Sequence, residues 1–106
     1  MIKEKKIFIT GGAGFIANTL IRRLVHDNEI VIYDNFHRDT FSGSDLKDNH
    51  NIKVIKGDVL DYEHVKKSME GSDIVVHAAG IAGIDTVINN PVLTGRVNVI
   101  GTANVL

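Results

Sequence analysis

Gly11, Gly12 and Gly14 stand within four positions, between the apolar runs Ile7–Ile9 and Phe15–Ile16. A strand running into these glycines and a helix leaving them would form an anion cradle. Gly11 permits the tight turn, and Gly14 has no side chain to block a pyrophosphate. The free N–H groups of Phe15 and Ile16, at the helix start, would point at the charge, aided by the helix dipole. The bland alternative is a plain strand-to-helix turn. No Gly-Lys-Ser/Thr follows, so this is not a nucleoside-triphosphatase loop.

Asp34 adds a second group at the right spacing, twenty residues past Gly14. At the carboxyl end of a second strand, an acid can accept hydrogen bonds from both hydroxyls of an adenosine ribose. Its charge would oppose a 2′-phosphate by about 4 kcal/mol at 4 Å and an effective dielectric near 20. Asp34 therefore favours NAD over NADP. Arg38 argues the other way, because it could pair with such a phosphate. Asp34 could also be an ordinary strand-end turn residue.

Other chemistry is thinly supplied. There is no cysteine, hence no disulfide, thiol nucleophile or thiolate metal site, which suits a cytoplasmic setting. His26, His37, His50 and His64 share neither metal-ligand spacing nor a helical face and read as surface residues. His77, at a strand end, reads as packed and hydrogen-bonded. The net charge of −1, with both signs interspersed, lacks the basic footprint of a nucleic-acid binder. Lys3–Lys6 followed by an apolar stretch imitates a secretory signal, but the glycines would weaken such a helix by roughly 1 kcal/mol each. No run approaches the length of a membrane span.

The elements that must position these groups follow from periodicity. Lys5–Thr10 is a short apolar, β-branched run, read as a buried strand. Apolar residues at 15, 16, 20, 21, 24 and 25 fit a helix, with Arg22, Arg23 and His26 opposite, ended by Asp27-Asn28. Glu29–Tyr33 is a second buried strand. Residues 36–51 read as a polar loop with one helical turn near Asp45–Asp48. Ile52–Lys56 alternates, as at a sheet edge. Asp61 caps a helix over Tyr62–Glu70, stopped by Gly71. Asp73–His77 is a fourth strand and a mixed loop follows it. Asn90 as cap and Pro91 at the first helical position open a last helix, running to Leu106. The 106 residues thus alternate strand and helix, the pattern of an α/β parallel sheet with right-handed crossovers.

Thr10–Ile16, TGGAGFI, resembles the opening of the extended branch of the short-chain dehydrogenase/reductase superfamily. Within it, the likeness is to the NAD-dependent nucleotide-sugar epimerases and dehydratases of the UDP-glucose 4-epimerase type. Further stretches match in order: Tyr33-Asp34-Asn35, Gly57–Asp61 (GDVLD), Val76–Gly80 (VHAAG) and Asn98–Thr102 (NVIGT). Gly83–Pro91 has the look of the family's loop and helix entry. The resemblance covers nearly all of the chain. It implies a Rossmann-type doubly wound sheet, incomplete, with about four strands in the order 3-2-1-4. It implies NAD as cofactor, with Gly11, Gly14, Phe15 and Ile16 at the pyrophosphate and Asp34 and Asn35 at the ribose. Asp58 would take the adenine amino group, and Val59 would offer its backbone. Ala78, Ala79 and Gly80 would let the cofactor backbone pass. Asn98 would be a structural asparagine beside the nicotinamide end. Three positions depart from the pattern: Ala17 for the third glycine, Ala78 for a larger residue and Gly80 for an alanine. Asp58 as a simple turn cap and Asn98 as an outward-facing helix residue are the bland alternatives.

The family's chemistry also needs a tyrosine and a lysine four apart on a helix, with a serine or threonine. Tyr62 and Lys66 match literally, but they follow the adenine strand, at the wrong end of the cofactor. The true pair, and the sugar-binding domain, are expected beyond residue 106. Residues 1–106 then form the amino-terminal part of a dinucleotide-binding domain, inactive as an epimerase alone, and the open edge of the fourth strand awaits a fifth. The full enzyme is expected to be a homodimer. It would act on a nucleotide sugar through a 4-keto intermediate, with transient hydride transfer to bound NAD. Rival readings are another extended-branch NAD(P)-dependent reductase, a non-catalytic dinucleotide-binding module and a flavodoxin-like receiver domain.

Overall fold

The computed structural model describes residues 2–106. Strands Lys6–Thr10 (β1) and Glu29–Asp34 (β2) are continuous apolar runs, the composition of strands covered on both faces. Alternation divides their side chains. Ile7, Ile9, Ile30 and Ile32 pack with Ala17, Ile21 and Val25 of the helix Phe15–Leu24 (α1) and its end. Phe8, Val31 and Tyr33 project to the other face, against Val59 and Val65. Val65 belongs to the helix Tyr62–Met69 (α2).

Ile52–Lys56 (β3) and Ile74–His77 (β4) complete one sheet in the order β3-β2-β1-β4, every pair parallel. This is the order the resemblance implies. Thr10 is level with Tyr33 on one side and His77 on the other, so the strands end together and their following loops meet on one edge. β3 lies at the border of the sheet, as expected, but its exposure is not confined to one face: the neighbours Lys53 and Val54 are both exposed, and so is Lys56.

The helical regions depart from expectation in four places. Phe15 and Ile16 do not join the buried stripe of α1. Each is 79% exposed, because the stripe runs 17, 21, 25 and the first turn projects past it. Residues 84–89, read as loop, form a short helix, Ile84–Asn89 (α3), entered at Gly83 with φ +98°. The Asn90 side chain does not cap the next helix. Its Nδ2 donates back to the Thr86 carbonyl (3.2 Å). The last helix is not regular: Pro91–Gly95 (α4) passes through a π-helical turn, Arg96–Ile100, into Gly101–Val105 (α5). The loop 36–51 does contain the expected turn, a 3₁₀ turn at Asp45–Asp48, and it also sends Phe41 and Leu46 into the core.

Candidate functional site

The twelve residues singled out in the sequence lie along the carboxyl edge of the sheet, in or beside the loops that leave it. The glycine turn leaves β1 at Gly11, whose φ of +69° is the left-handed region that glycine tolerates. A Cβ at Gly11 would stand 2.7 Å from the Ala79 nitrogen and 2.9 Å from the Ala78 carbonyl oxygen. The turn and the segment after β4 are therefore in backbone contact. Gly14 occupies the N-cap position of α1 and offers no side-chain cap, and the first turn holds no acid. The opening N–H groups of α1, Phe15 and Ile16 among them, are left without intrahelical acceptors.

Asp34 is half-buried and reaches back to this turn. Its Oδ2 accepts from the Ala13 N–H (3.0 Å) and its Oδ1 from the Phe36 N–H (2.7 Å). Each oxygen keeps further acceptor capacity. Asn35 is exposed, and its Oδ1 accepts from the His37 N–H (2.9 Å). Arg38 extends to α3, where its Nη2 donates to Thr86 Oγ1 at 3.4 Å.

The loop after β3 is held from below. The phenol of Tyr33, fully buried, donates to the Asp58 carbonyl (2.9 Å) and lies 3.1 Å from His64 Nδ1. Burial pushes the Tyr33 phenol pKa up, and the charge of Asp61 adds to the rise. Any side chain at Gly57 would strike the Tyr33 ring. Asp58 is exposed and does cap a turn, its Oδ1 accepting from the Leu60 N–H (2.9 Å). Val59 is buried, and its carbonyl accepts from Asn104 Nδ2 (2.9 Å).

The loop after β4 is tied at both ends. The Ala78 N–H donates to the Thr10 carbonyl (3.0 Å) and the Ala79 N–H to Thr10 Oγ1 (3.2 Å). Asn98 sits within the π-helical turn. Its Oδ1 accepts from the Ile81 N–H (2.8 Å) while its Nδ2 donates to the Ile81 carbonyl (3.0 Å). A Cβ at Gly80 would come within 3.2 Å of the same Oδ1. His77 is packed and hydrogen-bonded, as expected for it, and burial lowers its pKa.

Sequence reasoning missed Tyr33, Thr10, Thr102 and Asn104, which do much of the holding. His64 corrects the reading of that residue as plain surface: it is partly covered and meets the Tyr33 ring edge-on. Tyr62 is half-exposed at the start of α2, with the Lys66 ammonium 6.0 Å above its ring rather than at its hydroxyl. No metal-binding cluster of His, Cys, Asp or Glu occurs among the described residues. A polar depression of about 440 Å³ opens beside Lys5, His26, Asn28 and Asn51, on the opposite edge from these loops.

Comparison with known proteins follows the same span. The model of the 3-beta hydroxysteroid dehydrogenase/isomerase family matches residues 8–106. The UDP-glucose 4-epimerase of Rickettsia canadensis is 33% identical over 112 residues, covering 100% of this chain and 33% of its own length. Two solved structures align along nearly the whole chain. One is the UDP-N-acetylglucosamine 4-epimerase of Methanobrevibacter ruminantium M1 in complex with UDP-N-acetylmuramic acid. It has a TM-score of 0.88 and 26% identity, and the match covers 98% of this chain and 33% of that one. The other is the UDP-glucose 4-epimerase of Brucella ovis in complex with NAD, with a TM-score of 0.79, 27% identity and coverage of 95% and 30%. The chain thus spans about a third of the length of the curated relatives it matches.

Proposed function

The chain belongs to the 3-beta hydroxysteroid dehydrogenase/isomerase family, and from that premise we propose that residues 1–106 are the NAD-binding part of a nucleotide-sugar epimerase or dehydratase. The observation that carries this reading is the contact of the Gly11 turn with Ala78–Ala79. It lies between β1 and β4, where the sheet order reverses direction, and open α/β sheets bind ligands in the crevice at that point.

The groups present fit a dinucleotide. The uncapped, acid-free start of α1 suits a pyrophosphate, received by Gly11, Gly14 and the Phe15 and Ile16 amides. Asp34, already oriented by Ala13 and Phe36, keeps acceptor capacity for the ribose hydroxyls, with Asn35 beside it. Its negative charge selects NAD against NADP. Arg38, engaged with Thr86, is directed elsewhere. Asp58 has its second oxygen for the adenine amino group, and the Val59 N–H has no acceptor among the described residues. Ala78, Ala79 and Gly80 keep side-chain bulk low along the crevice. NAD, when bound, supplies reversible hydride acceptance from a sugar carbon, which makes a 4-keto sugar attainable.

The longer protein would carry the proton-transfer groups and the nucleotide-sugar site, and would work as a cytoplasmic homodimer. Among the described residues, Tyr62 and Lys66 are the sole tyrosine–lysine pair at helical four-residue spacing, and they stand on α2 after the adenine loop. No helix among the described residues is long and apolar enough to cross a membrane.

Titration of the labelled chain with NAD, followed by amide chemical shifts, tests the reading. Shifts should concentrate at Gly11–Ile16, Asp34–Asn35, Asp58–Val59 and Ala78–Gly80, and NADP should bind at least about tenfold more weakly. Absence of binding, or shifts confined to other surfaces, would overturn it.

A further inference from the structure

A chain of hydrogen bonds joins the ends of β1 and β4 to the last helix, and the dinucleotide reading makes no use of it. Thr102 Oγ1 donates its one proton to the Asn98 carbonyl (2.6 Å). That hydroxyl must then accept from His77 Nε2, 3.0 Å away, so the ring proton sits on Nε2. The bare Nδ1 accepts the proton of the Thr10 hydroxyl. Thr10 Oγ1 is left with lone pairs only, and takes the Ala79 N–H at 3.2 Å. Every proton points the same way, from Ala79 through Thr10, His77 and Thr102 to the Asn98 carbonyl. The Asn98 amide then grips Ile81 by both backbone groups.

We propose that His77 is a positioning residue: its neutral Nε2–H form locks the segment Ala78–Ile81 into the shape that receives the dinucleotide, and its protonation releases that segment. The dinucleotide part rests on the function proposed above; the lock itself does not.

A proton on Nδ1 would turn that atom from acceptor to donor and leave the Thr10 hydroxyl proton without its acceptor. Thr10 is fully buried, so water offers no replacement. Burial alone holds the His77 pKa below its ordinary value. The loosened state therefore binds the proton more readily than the locked one, and acid favours release. The charges on the surrounding elements point elsewhere. β1 offers only Lys6, at its far end, where the Lys6 N–H meets Asp73. The loop 78–83 carries no charge, and Arg96 of the 91–105 helix and Asp85 of α3 are exposed. The Asp34 carboxylate on β2 is turned to Ala13 and Phe36.

Nitrogen NMR of the imidazoles between about pH 5 and 8 tests the lock directly. Near neutrality His77 should show a protonated Nε2 and a bare Nδ1, and it should titrate below the ordinary histidine value. The protection of the Ala79 and Ile81 amides, exchange measured against the intrinsic rate at each pH, should fall about tenfold as His77 takes its proton. The substitution Thr102→Val keeps side-chain shape but removes the acceptor of Nε2, so it should speed the same amides already at neutral pH. His77→Phe, which removes both ring nitrogens, should do the same, and Thr102→Val serves where that variant fails to fold. An Nδ1–H form, titration at or above the ordinary histidine range, or unchanged protection at Ala79 and Ile81 would overturn the proposal. NAD affinity falling with the His77 midpoint supports it, and affinity flat across that midpoint overturns it. If the lock signature is present but NAD binds at no pH, the lock stands and the function proposed above falls.

Discussion

At the residue scale, one hydroxyl governs the loop after β3. The Tyr33 phenol is the buried donor to the Asp58 carbonyl, next to the exposed Asp58 carboxylate. Tyr33→Phe keeps the ring and its contact with Phe8 but removes that bond, which should cost about 1 kcal/mol in a urea melt. The same change should alter the alkaline limb of stability. Burial, then the charge of Asp61, raise the phenol pKa above its ordinary value. The unfolded chain thus loses this proton first as pH rises. The contribution is complete below the ordinary tyrosine range near 10 and fades through the raised value. Wild type should lose stability there more steeply than Tyr33→Phe, and parallel slopes would refute the assignment. Asp34 was legible in the sequence because its spacing from the glycines is local to one βαβ unit. Tyr33 was not, because its partners lie 25 and 31 residues away and only the sheet order brings them near.

At the element scale, two glycines of the last helical stretch make opposite predictions from the same local conformation. Both have helical φ, near −60°, so neither is needed for backbone freedom. A Cβ at Gly95 would meet nothing within 4 Å, and Gly95→Ala should stabilise by about 0.5–1 kcal/mol. A Cβ at Gly101 would stand 2.6 Å from Val59 Cγ2, in the layer where the helix presses on the loop after β3. Gly101→Ala should therefore destabilise by about 1–3 kcal/mol despite its better helix propensity. Thermal melts of the two variants decide the matter: if both are stabilised, Val59 yields and the packing argument fails. Pro91 announced this helix in the sequence. Its π-helical turn had no sequence sign; the contacts that accompany it, Asn98 with Ile81 and Gly101 against Val59, join segments far apart in the chain. α3 passes for loop in the sequence because it is only six residues long, and its brief apolar stripe, Ile84, Val87 and Ile88, stays exposed rather than buried.

At the scale of the whole molecule, sheet order was legible for a topological reason. Alternating strands and helices, with apolar runs buried on both faces, leave few right-handed arrangements. The same order distributes the proposed site. Its parts follow β3, β2, β1 and β4 in turn, so no fragment of the fold can assemble it, and a dinucleotide should bind only the folded chain. At a hundredfold excess over its dissociation constant, NAD should then stabilise by about 2.7 kcal/mol, raising Tm by roughly 10–20 °C in a domain near this size. Which half of the dinucleotide does this can be argued from the side chains. In the proposed site, Gly11, Gly14, Phe15, Ile16, Asp34, Asn35, Asp58 and Val59 would all address the pyrophosphate, ribose or adenine. Asn98, which the resemblance puts at the nicotinamide end, has its amide already committed to both backbone groups of Ile81. ADP-ribose at the same multiple of its own dissociation constant should raise Tm equally. At equal concentration it should fall little short of NAD, while nicotinamide mononucleotide should leave Tm unchanged. A shift that requires the nicotinamide ring would mean that the crevice between β1 and β4 grips the reactive end of the cofactor without help from Asn98.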